Sequence, residues 1–64
     1  MNMNEMIEVM TEETIAMVPK CEDLQEVIDN LRCVSVLDLN IDFPDEKIKA
    51  LATEYWNEYQ REFV

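Results

Sequence analysis

From Phe43 to Val64 the apolar positions recur with a helical period. With Ile48 as origin and about 100° per residue, Ile48, Leu51, Ala52, Tyr55, Trp56, Tyr59 and Phe63 fall in an arc of about 140°. Asp45, Glu46, Lys49, Thr53, Glu54, Asn57, Gln60 and Arg61 lie around the rest. The start is marked as well. Asp42 is a candidate cap, Pro44 is tolerated in a first turn, and Asp45 and Glu46 face the positive end of the helix dipole. Asp45 and Lys49 stand four residues apart in the favourable order. The pattern predicts an amphipathic helix of roughly five turns, with an aromatic stripe that needs a surface to cover.

Residues 4–18 carry a weaker helical pattern. Met3, Ile7, Met10, Thr14 and Met17 recur at heptad-like spacing, with Met6 and Val18 beside them. Asn4 is a candidate cap, and Glu5 and Glu8 suit the first turns. Thr11-Glu12-Glu13-Thr14 interrupts the pattern, so a break near Met10 or a strand from Thr14 to Val18 competes with one continuous helix. Pro19 ends either element by disfavouring helix at the residue before it. Leu24, Val27, Ile28 and Leu31 form one face of a second helix, with Glu22, Glu26 and Asp29 opposite.

Residues 33–43 admit two readings. Cys33 to Val36 has strand composition, and Leu37, Leu39, Ile41 and Phe43 alternate with Asp38, Asn40 and Asp42. A strand there lacks a pairing partner, and no hairpin signal occurs anywhere. The helical continuation is therefore preferred. The expected fold is mainly α: one small domain over residues 1–64 with helices at about 4–18, 21–36 and 44–63, the long C-terminal helix packing across the other two. An α+β fold with a short strand at about 33–41 is the alternative.

Composition sharpens this picture. Glycine is absent, which removes the usual residue for left-handed turns and tight hairpins and weighs against an all-β fold. A chain of 64 residues buries only about 60% of its unfolded surface, so its core is thin, and a homodimer is one way to extend it. No basic, apolar leader pattern is visible, and no stretch approaches the ~20 apolar residues of a membrane span. The expected compartment is the cytoplasm, where Cys21 and Cys33 remain thiols.

Charge excludes whole classes of partner. Fifteen acids against five bases give a net charge of −10. Residues 1–43 hold ten acids, with only Lys20 and Arg32 to offset them. A field of that sign and strength repels nucleic-acid phosphates and anionic membranes, and it steers in a basic protein surface.

Candidate chemistry adds little. Histidine is absent, which removes the commonest general base and, with only two cysteines, any closed structural zinc site. Asp38-x-Asn40-x-Asp42 matches the opening of a calcium loop, but Phe43 stands in the place of the turn glycine and Lys49 in that of the bidentate glutamate. Glu22-Asp23-Leu24, followed by Leu37 to Ile41 and then Pro44-Asp45-Glu46, resembles the helix-loop grammar of acyl carrier proteins, which are small, acidic and helical. Asp23 stands where that family carries the serine that bears phosphopantetheine, and two extra residues precede the proline. Membership is not implied. No catalytic, cofactor-binding or metal-ligating residue is assigned, and no enzyme is expected.

Two function classes survive. The first is a small acidic binding protein that occupies the basic surface of a nucleic-acid-binding protein and inhibits or regulates it. In size and charge the chain resembles small phage-encoded inhibitors of this nucleic-acid-mimic type. Glu22, Glu26 and Asp29 on one helix face, with Glu12 and Glu13, would replace phosphates; Tyr55 and Trp56 would add apolar contact. The second is a helical adaptor or accessory subunit that docks through the apolar stripe of the C-terminal helix. Four methionines in the first ten residues serve either as adaptable core filler or as a soft contact surface.

Overall fold

The computed structural model describes residues 1–64. Helix α1 spans Met3–Met17, a single 3-10 turn covers Val18–Lys20, α2 spans Leu24–Cys33, and α3 spans Asp45–Phe63. No strand forms. The mainly α reading holds and the strand at 33–41 is overturned.

Helix α1 begins at Met3, one residue before the expected start, and its cap lies two residues earlier than expected. Asn2, not Asn4, is the cap: its Oδ1 accepts from the Glu5 amide at 2.9 Å, and Glu5 Oε1 accepts from the Asn2 amide at 3.3 Å. This reciprocal capping box satisfies two donors at once, which a cap at Asn4 would not. The helix runs through Thr11–Thr14 unbroken. Thr14 is fully buried, and its hydroxyl donates to the Met10 carbonyl at 2.7 Å, so the polar side chain that threatened the helix is absorbed by it.

Helix α2 begins at Leu24 rather than 21, because Asp23 caps it by accepting from the Glu26 amide at 2.8 Å. Its C-terminal end explains the ambiguous stretch. The helix continues through Val34–Asp38 as a π turn, with the Leu39 amide donating to the Val34 carbonyl at 2.9 Å. The inward residues Val27, Leu31, Ser35 and Leu39 are spaced by four, slightly more than one α-turn. The wider π turn corrects the drift. It turns Leu39 toward the core and leaves Asp38 outside. Asn40 then adopts a left-handed conformation (φ 52°) and bends the chain so that the Ile41 amide returns to the Ser35 carbonyl at 2.8 Å. Asparagine supplies the helix-ending turn that glycine usually supplies.

Leu39, at the end of the π turn, and Ile41 and Phe43, in the connection to α3, all pack inward, which is why their alternation imitates a strand; Leu37, the first of that series, lies outside and is 76% exposed. Pro44 itself is the first residue of the α3 boundary, its carbonyl accepting from Lys47 and Ile48. Asp42 does not cap the helix.

The three helices run up, down and up. Ile7 borders Lys47 and Leu51, and Ile15 borders Tyr55 and Tyr59, so α1 and α3 are parallel. Helix α2 runs back against both and packs most extensively on α3. Met10 and Val18, then Val27, Ile28 and Leu31, then Phe43, Ile48 and Ala52 make a single core. Of the early methionines, Met10 is fully buried and Met6 packs against that core, whereas Met1 and Met3 are exposed. No buried side-chain polar atom lacks a partner.

Candidate functional site

The acidic positions divide by environment. Glu22 lies in the turn before α2, and its amide donates to Glu26 Oε2 at 3.4 Å, so these two residues are adjacent. Asp29 is exposed but not unopposed: Arg32 approaches it at 3.3 Å, and Gln25 donates to it at 3.0 Å. Glu12 and Glu13 lie on α1, with no hydrogen bond or ion pair linking them to the α2 acids. The acidic stripe therefore has one end without a cation, exposed Glu22 and half-buried Glu26, and one end paired with Arg32.

Arg32 does more than flank Asp29. Its Nε and one terminal nitrogen grip Asp45 at 2.6 and 3.1 Å, a two-pronged fork across the corner between α2 and α3. Lys49 reaches the same carboxylate at 3.3 Å, as the four-residue spacing predicted. Hydrogen bonding from Arg32, with Lys49 assisting, holds the Asp45 carboxyl down to about 2. Two bases are thus committed to structure, and Lys20, Lys47 and Arg61 remain outside any ion pair.

Tyr55 and Trp56 are each half-buried, and they play different parts. Both pack against the core, but only Tyr55 also borders a groove. Tyr55 lines an open groove of about 180 Å³ between the C-terminal halves of α1 and α3. Ile15 and Val18 form one wall; Tyr55, Tyr59 and Phe63 form the other, with Glu58 and Glu62 among them. The Tyr59 and Phe63 rings sit 5.2 Å apart, tilted by 32°. Burial pushes the Tyr55 phenol up from its ordinary value, and the carboxylates of Glu54 and Glu58 add to that.

The groove exists because α3 outruns its support. Tyr55, Tyr59 and Phe63 continue the core stripe, yet Phe63 is 71% exposed and Ile15 opposite it is 54% exposed. Phe63 is therefore not core, contrary to the periodicity. The signal was present in Tyr55, Glu58, Tyr59 and Glu62, spaced by three and four, which puts Glu62 inside the aromatic stripe and Glu58 at its edge. A second, similar groove of about 170 Å³ opens beside Ile7, Phe43 and Leu51. Both are smaller than the roughly 300–1,000 Å³ typical of sites for small organic ligands. They suit inserted side chains better than a substrate.

The cysteines are unbridged. Burial raises the Cys21 thiol above its ordinary value, opposed by the Asn30 amide, which donates to its sulfur at 3.5 Å. No group of three or more His, Cys, Asp or Glu side chains converges as metal ligands do, and no helix is long and apolar enough to cross a membrane. No protein-family model, curated protein or solved structure matches the chain.

Proposed function

We propose that this chain is a small acidic binding protein that occupies the basic surface of a nucleic-acid-binding protein in the cytoplasm and inhibits or regulates it, in the manner of the nucleic-acid mimics that phages and mobile elements encode. The observation that carries this reading is the charge left after internal pairing. Asp29 and Asp45 are held by Arg32 and Lys49, which leaves thirteen acids and three bases unpaired around a body with a radius of gyration of 11.1 Å. Such a field attracts and orients a basic surface, and a protein that binds phosphates presents one. Glu22 and Glu26 are its acidic edge without a cation, with Asp29 freed only if a partner cation competes with Arg32.

A second reading rests on the groove. If the apolar stripe carries the affinity, the chain is a helical adaptor or accessory subunit and its acids serve solubility.

The two separate in one experiment. The immobilised protein is exposed to extract of the source cell and eluted once with rising salt and once with duplex DNA. The first reading expects a nucleic-acid-binding protein released by both, and lost when Glu22, Glu26 and Asp29 are changed together to lysine. A partner that resists salt, ignores DNA and is lost on Ile15→Gln refutes it in favour of the adaptor.

A further inference from the structure

We infer that the groove between α1 and α3 is the anchor site for a basic amphipathic helix of the partner: its apolar side chains enter between Ile15 and the Tyr59–Phe63 pair, and lysines or arginines beside them meet Glu58 and Glu62. This rests on the reading of a basic partner and specifies where its apolar contact falls.

The occupant follows from charge and size together. The groove is apolar on both walls, and the only charged residues lining it are Glu58 and Glu62. They sit one turn apart on α3, in the row beside the one that carries Tyr55, Tyr59 and Phe63. An apolar face flanked by cations satisfies both features, whereas an uncharged helix leaves the two carboxylates beside a dry contact without partners. A second copy of this chain is disfavoured by the same residues. A two-fold interface centred on the groove brings Glu58 and Glu62 of each copy together and adds two bodies of net charge −10. Anionic membranes are repelled for the same reason.

The test uses the full chain, isotope-labelled, and three synthetic helical peptides. One has lysines flanking a leucine face at helical spacing. One has the same composition scrambled, so that charge stays and the face is lost. One keeps the face and replaces lysine by glutamate. The expected result is saturable binding of the first peptide only, with amide shifts grouped at Ile15, Tyr59 and Phe63. Ile15→Gln and Phe63→Ser, both at exposed positions, weaken it by about tenfold or more without moving the thermal melt. Joint Glu58→Gln and Glu62→Gln weakens it and flattens its salt dependence.

Equal binding of the scrambled peptide, with shifts at Glu22 and Glu26, overturns the groove inference while leaving the acidic-surface proposal standing. Equal binding of the glutamate peptide also overturns the groove inference, since Glu58 and Glu62 then select no basic occupant. Binding of none overturns the groove alone, because the extract experiment tests the basic partner separately. A dimer in sedimentation that Ile15→Gln dissociates also overturns it, by naming a second copy as the occupant.

Discussion

Asn40 is the one residue with a positive φ in a chain without glycine. The left-handed conformation costs an ordinary residue roughly 1–2 kcal/mol, and asparagine less. Asn40→Ala is therefore expected to lower unfolding stability by about 1 kcal/mol, and Asn40→Gly to preserve it within a few tenths, read from urea midpoints. Equal loss in both variants would mean that the Asn40 side chain, not its backbone, holds the corner. Asp45 gives a second prediction at this scale. Its carboxyl is held at about 2 by Arg32 and then Lys49, below the ordinary value of about 4. A depressed acid stabilises the fold wherever it is ionised, fully above about pH 4, and that contribution is lost as pH falls through about 2. The gap in urea midpoint between wild type and Asp45→Asn should be constant near neutrality and close toward pH 2. A gap that persists in acid would assign the loss to packing.

At the scale of elements, legibility tracked how far each signal was local. The period of α3 and the Asp45–Lys49 pair were readable because both lie within one helix. The cap of α1 was placed two residues late because Asn2 and Asn4 are equivalent as residue types, and Glu5 decides between them by reaching back to Asn2. The stretch from Val34 to Phe43 was ambiguous for a tertiary reason. Its inward positions follow a spacing that no regular helix has, and only the core packed against Leu39 and Phe43 selects the π turn and the extended connection. The candidate site divides in the same way. The acidic face of α2 was visible in its spacing, but Arg32 had no assigned partner until Asp45, thirteen residues on, was placed beside it. The groove was hidden because Pro19 marks where α1 ends and periodicity assigns Phe63 to a buried stripe, but neither says how far α1 reaches alongside α3.

The whole molecule is small and strongly charged, and its principal extents are 35 × 19 × 18 Å. Like charges closer than the Debye length of about 8 Å at physiological salt repel, and the internal ion pairs remove only two acids from that crowd. Self-repulsion should therefore dominate the salt response. The melting temperature is expected to rise steadily from about 0.01 M to about 1 M sodium chloride, whereas a fold held chiefly by its ion pairs would lose stability over the same range. A calorimetric salt series distinguishes the two. The same experiment on the Asp45→Asn variant should give a steeper rise, because the fork that salt weakens is already gone.

The Arg32–Asp45 fork also bears on the order of assembly. It closes a segment of only thirteen residues, and the helices on either side form the most extensive pairing in the molecule. Ordering so short a loop costs little chain entropy, so the α2–corner–α3 hairpin is the natural nucleus, with α1 docking afterward. Leu31, fully buried in that hairpin, and Met10, fully buried on α1, then become kinetic opposites. Each truncation to alanine should cost roughly 2–5 kcal/mol at equilibrium. Leu31→Ala should take most of it from the refolding rate and Met10→Ala should place most of it in faster unfolding, a contrast that rapid-mixing or temperature-jump traces can read directly.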